Sequence, residues 1–170
     1  THRYSSAASD VYKRQRWYRK LWAAYRARPE LSRPETNLAL EALAQSIDRD
    51  TFVIDAPNER MAIRAESIAQ EFSLKMILRG SGREYRQLDL IAATHRPILV
   101  PVDFPETPNV KTNRLARQAT LRDLMHWDLA PENPARLVAA GVPICLTTDG
   151  LDDPKTFLPQ VRRAVDRGLD

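Results

Sequence analysis

The chain has 170 residues, 43% of them hydrophobic and 28% charged, with 26 Lys and Arg against 22 Asp and Glu for a net charge of +4. That is enough chain for one sizeable core of ordinary globular composition. It excludes an internal disulfide, because Cys145 stands alone, and apolar runs such as Pro97 to Val102 fall far short of the roughly 20 residues a membrane span needs.

Residues 1–15, THRYSSAASDVYKRQ, show neither the apolar block of a signal peptide nor a periodic face. The string resembles translated adapter or linker sequence found at the ends of reading frames from metagenomic assemblies, so it reads as a foreign or disordered stretch. Setting it aside removes Arg3, Asp10, Lys13 and Arg14 and halves the net charge. A near-neutral remainder with interspersed signs leaves little electrostatic footprint for nucleic acid.

From Arg16 to Ala27, the spacing of Trp17, Leu21, Trp22 and Tyr25 predicts an amphipathic helix whose aromatic stripe packs on a core. The segment Arg28 to Pro34 breaks it. Ser32, Pro34 and Glu35 mark a start for a second helix through Leu38 and Leu43 to about Ser46. Residues 16–50 thus read as a helical segment, and residues 51–170 as a separate α/β part.

That part alternates regularly. Thr51 to Ile54 is a strand running into Asp55, followed by a helix marked by Met61, Ala65, Ile68 and Phe72. Lys75 to Leu78 is the second strand, ending at Arg79-Gly80-Ser81-Gly82, with a helix carrying Tyr85, Leu88 and Ile91 beyond it. Pro97 to Val100 is the third, ending near Asp103. Two helical patterns, about 113–127 and 134–140, lead to the fourth, Val142 to Thr147, which reads as a fully buried parallel strand holding Cys145. A helix through Phe157, Val161, Ala164 and Val165 closes the series.

This alternation implies right-handed crossovers and a parallel sheet. In such sheets reactive groups gather at the carboxyl ends of the strands, which makes Asp149, just past the fourth, the first candidate for chemistry. Asp149-Gly150 is equally a turn signal. Gly80-Ser81-Gly82 lacks the third glycine of a dinucleotide fingerprint; it reads either as a plain turn or as an anion cradle supported by Arg79 or Arg83. A complete (β/α)₈ barrel needs about 250 residues, so four βα units in about 120 residues make half of one. Half a barrel leaves strand edges and interior uncovered, an aggregation hazard.

The stretches RPETNLALE (33–41), LRGSGREY (78–85), LMHWDLAPENPA (124–135) and LTTDGL (146–151) make residues 33–169 resemble the second half of an amidohydrolase-superfamily barrel, close to imidazolonepropionase-like proteins. The resemblance implies a partial (β/α)₈ TIM barrel of strands five to eight, from a metal-dependent hydrolase of C–N bonds in cyclic amide-like substrates. It implies a divalent metal, zinc in the family, with Asp149 as a metal ligand and as the base that takes the proton of the attacking water. Asp55 falls at a second ligand position, and Arg79 or Gly80 at a third, so the two expected histidines are absent. His95 and His126 lie elsewhere and read as surface or packing residues.

The expected partners are a small-molecule substrate in the parent protein and the missing amino-terminal half of the barrel, with no nucleic acid and no membrane. Arg79, Gly80 and Gly82 are the expected substrate-binding group. A degenerate metal site in this half follows from the missing histidines, since carboxylates such as Asp55, Asp103 and Asp149 alone favour Mn²⁺, Mg²⁺ or Ca²⁺ over Zn²⁺. The alternative is a non-catalytic amidohydrolase-like scaffold domain within a longer chain.

Overall fold

A computed structural model describes residues 3–170, with side chains from residue 10 onward. In chain order the elements are α1 (Arg3–Ala27), α2 (Leu38–Arg49), β1 (Thr51–Asp55), α3 (Glu59–Phe72), β2 (Lys75–Arg79), α4 (Leu88–Ala92), β3 (Ile98–Pro101), α5 (Asn113–Gln118), α6 (Leu121–Leu129), α7 (Asn133–Ala139), β4 (Ile144–Thr147) and α8 (Phe157–Asp166). No helix among the described residues is long and apolar enough to cross a membrane. The chain divides into two compact units, one of residues 1–52 and 67–75, the other of residues 53–66 and 76–170.

In the first unit the helix expected from Arg16 begins at Arg3, so positions 3–15 of the stretch set apart in the sequence continue α1, and positions 1 and 2 lie outside the described residues. The buried face differs from the expected stripe. Gln15 and Tyr18 are buried while Trp17 is 62% exposed, because the turn before Arg16 sets the face at Tyr12, Gln15, Tyr18, Trp22 and Tyr25. Tyr18 fixes α2 against it: its hydroxyl donates to Glu41 Oε1 at 2.9 Å and accepts from the Asn37 amide at 3.1 Å. The cap of α2 is Asn37 and not Ser32, since the Asn37 side-chain Oδ1 accepts from the Leu40 amide at 3.0 Å.

The second unit is α/β. Its four strands lie in the order β1-β2-β3-β4, with β2/β3 and β3/β4 parallel and Leu99 paired to both Arg79 and Cys145. Met76, Leu78, Ile98 and Val100 are buried on one face of the sheet. The alternate residues form the other face, where Val53 is 55% exposed and Cys145 is exposed. The fourth strand is therefore no fully buried strand. It is an edge strand with one face in solvent, and its apolar run packs Ile144 and Leu146 toward Val102, Phe104 and Ala164 while Cys145 points away.

Connections follow local chemistry. Asn58 caps α3 through the Met61 amide at 3.1 Å, and Thr120 and Asp123 form a capping box that splits the expected 113–127 helix into α5 and α6. Arg96 forks onto Glu66 with Nε at 2.6 Å and Nη2 at 3.1 Å, tying α3 to the segment before β3. Deepest is Glu84. Its carboxylate accepts from the Ser81 amide at 2.6 Å and from Asn133 Nδ2 at 2.7 Å, and Asn133 Oδ1 in turn accepts from the Tyr85 amide at 2.7 Å. Asn133 is fully buried at the first turn of α7.

Asn133→Ala leaves a buried carboxylate short of a donor and the Tyr85 amide without an acceptor, which costs about 2–4 kcal/mol. Urea unfolding of the two proteins, compared by midpoint at constant slope, checks this.

Candidate functional site

Parallel strands place all their carboxyl ends on one edge of the sheet, and there the second unit collects its charged groups. Asp55 ends β1, Arg79 ends β2, Asp103 lies two residues beyond β3, and Asp149 two beyond β4. Arg79 Nε lies 2.9 Å from Asp55 Oδ1 and 3.2 Å from Asp149 Oδ2, so one guanidinium bridges the two carboxylates. All three side chains are about half exposed or more.

Gly150 brings Asp103 into the group. At φ +82° it sits in the left-handed region, and a Cβ there would lie 2.7 Å from Asp103 Oδ2. Only glycine satisfies both. The same residue closes a turn in which the Leu151 amide donates to Thr148 O at 3.1 Å, so Asp149-Gly150 is at once turn punctuation and a place where the backbone comes close to Asp103.

A cleft of about 580 Å³ opens at this edge, lined by Asp55, Arg79, Gly80, Ser81, Arg83, Asp103 and His126 among others. The glycine turn after β2 is built differently from an empty cradle. The Gly80 amide donates to Leu99 O at 2.9 Å, and the Ser81 amide and hydroxyl both face Glu84 Oε1, at 2.6 and 3.2 Å. The anion held by the Ser81 amide is the chain's own. Gly80 is needed for that approach, since a Cβ would meet Glu84 Oε1 at 2.7 Å. Gly82, at φ +74°, serves the turn. Arg79, proposed from sequence to hold a substrate anion, is engaged with Asp55 and Asp149.

His126, read from sequence as a surface or packing residue, instead lines the cleft from α6. Arg83 Nε donates to its Nε2 at 3.4 Å, and its Nδ1 lies 3.1 Å from the Tyr85 hydroxyl. This pattern assigns the ring proton to Nδ1. Burial, aided by the positive charges of Arg83 and Arg86, lowers the His126 pKa from the ordinary 6.5 against the opposing pull of Asp103 and Asp123. Burial likewise raises that of Tyr85. Both rings are neutral near pH 7. His95 stands far from this edge in sequence terms, in the turn before β3 with φ 54°, where it ends the preceding helix.

The residues at the strand ends do not fit a zinc centre. Zinc takes three or four N, S or O donors converging on one point, whereas Asp55 and Asp149 are two donors that converge on a guanidinium. Among the described residues no group of three His, Cys, Asp or Glu side chains is placed to hold a metal ion.

No family model matches the sequence, and no curated protein does. The fold is similar to the crystal structure of an amidohydrolase from Thermotoga maritima MSB8, with a TM-score of 0.67 and 20% identity, over 98% of this chain and 40% of that one. At that identity the likeness is one of fold. It establishes an amidohydrolase-like α/β arrangement with a parallel sheet, and this chain spans about two-fifths of that protein's length.

Two expectations follow from the site. Asp149→Asn keeps the turn and loses only a half-exposed ion pair, so stability changes by less than about 1 kcal/mol in urea unfolding. His126 binds its proton more weakly folded than unfolded, so its contribution is fully present above the unfolded value near 6.5 and is lost as pH falls through the lower folded value. Thermal midpoints measured from pH 7 down to pH 5 should therefore fall, and His126→Asn should flatten that slope.

Proposed function

We propose that this chain is the half of an amidohydrolase-like barrel formed by strands five to eight, in a longer protein that hydrolyses C–N bonds of cyclic amide-like substrates, with imidazolonepropionase-like proteins as the nearest subfamily. Asp149 is the acid-base residue this half contributes. The likeness of fold to the Thermotoga amidohydrolase supports the scaffold. So does the sheet's solvent-facing side, with exposed Val53 and Cys145, which a barrel would turn inward.

The observation that carries the reading is the Arg79 bridge. It holds the Asp149 carboxylate through Oδ2, and that half-exposed carboxylate accepts a proton from a water that attacks the substrate carbonyl. The same carboxyl then returns that proton to the departing nitrogen as the C–N bond breaks. Arg79 acts as a positioning residue in this scheme, and the glycine turn, closed by Glu84, forms the wall of the cleft.

The bridge also favours a second reading. A guanidinium between Asp55 and Asp149 suits a scaffold domain whose partner carries the catalytic groups. Kinetics of the longer protein on hydantoin-like cyclic amides separate the two. If Asp149 is the acid-base group, Asp149→Asn lowers kcat by about 10²-fold or more. An unchanged kcat assigns the chain to the scaffold role. Elemental analysis of the 170-residue chain adds a second measurement: one tightly held zinc per chain, lost in Asp149→Asn, would overturn the account of Arg79 as the cation of this site.

A further inference from the structure

A second cavity, of about 280 Å³, shares Arg83 and His126 with the strand-end cleft and is lined further by Tyr85, Arg86, Leu121, Arg122 and Met125. Its composition is unusual in one respect. None of the three arginines has a carboxylate within ion-pair distance among the described residues. The nearby acids are committed elsewhere: Glu84 to Ser81 and Asn133, and Asp123 to the Thr120 hydroxyl at 2.6 Å. Asp103 packs against Gly150 at the other cleft.

Apolar surface sits beside this charge. Leu121 is 73% exposed and Met125 49%, one turn apart on the same side of α6. Across from them, Tyr85 and His126 stack at 21° with ring centroids 6.2 Å apart. Because the His126 Nδ1 proton is directed at the Tyr85 oxygen, the phenolic hydrogen is left to donate elsewhere. We propose that this cavity binds a small organic anion, its carboxylate or phosphate among Arg83, Arg86, Arg122 and the Tyr85 hydroxyl, and its apolar body against Leu121 and Met125.

Other occupants fit the cavity less well. A neutral apolar ligand leaves three guanidinium groups with no ion-pair partner and only Asp123 as a more distant counter-charge to Arg122 and Arg83, and a bare inorganic anion leaves the leucine and methionine in water. Arginine forks match the paired oxygens of a carboxylate or phosphate. A volume near the lower end of ordinary ligand pockets limits the body to about one aromatic ring. The inference does not depend on hydrolysis, since none of these residues acts on Asp149.

Calorimetric titration of the 170-residue chain with benzoate, phenyl phosphate, benzyl alcohol and acetate tests it. Benzoate or phenyl phosphate should bind at least about tenfold more tightly than benzyl alcohol or acetate, and whichever of the two is tighter identifies the headgroup. Arg86→Gln and Arg122→Gln, both exposed and without structural partners, should each weaken that binding about tenfold, the loss of one charge-assisted hydrogen bond. Leu121→Ser should weaken the aryl anions while leaving acetate unchanged. Equal affinity for benzoate and benzyl alcohol, or arginine variants that bind like the parent, would overturn the proposal.

Discussion

The carboxylate of Glu84 is the point on which the site region of the second unit depends. It is 5% exposed, and an ionised carboxylate in such a place is tolerated only when hydrogen-bond donors surround it. The Ser81 amide, the Ser81 hydroxyl and Asn133 Nδ2 supply them. The donors come from two different parts of the architecture. Ser81 is in the turn after β2, and Asn133 opens α7, so the requirement to satisfy one buried charge sets the turn beside Arg79 and the position of Tyr85 together. Gly80 follows from the same demand, because any larger residue would meet the carboxylate oxygen.

This dependence explains which features were legible in the sequence. The strands were, because β-branched and aliphatic runs bounded by turn residues have few alternatives at that length. Their carboxyl ends were legible too, and Asp55, Arg79 and Asp149 do meet at one edge of the sheet. The Ser81-x-x-Glu84 spacing is that of a capping box, and it was the available signal for Glu84, but the glycines on either side of Ser81 drew the reading toward an open anion cradle. No local pattern could have announced Asn133, whose partners lie 48 and 49 positions away. Burial of β4 was overread for a related reason: an apolar run shows that one face is packed, and the second face is decided by neighbours that the run does not contain.

His126 shows the same limit from the opposite side. A lone histidine on a helix next to a tryptophan carries no motif, and its role is set by Arg83 and Tyr85, which reach it across 43 and 41 positions. Once there, it forms a wall common to the strand-end cleft and the second cavity. A neutral ring suits that place. A charged imidazolium would lose its hydration by burial and would also face the positive charges of Arg83 and Arg86, and the lowered pKa expresses burial first and that repulsion second.

Arg79 raises the question of what a sheet edge gains by holding a guanidinium where its acids converge. Left alone, Asp55 and Asp149 would repel each other, and a mobile cation would have to be captured to relieve the repulsion. Arg79 carries its charge on a chain already anchored in β2, so the counter-charge is present whenever the sheet is formed. The same anchoring makes it a competitor for any metal. A divalent cation bound between these carboxylates must first displace an ion pair on both sides, and the guanidinium so released stays within reach of the same edge. Arg79 therefore offsets one of the two carboxylate charges, and the pair of ion contacts holds Asp55 and Asp149 together at one edge of the sheet.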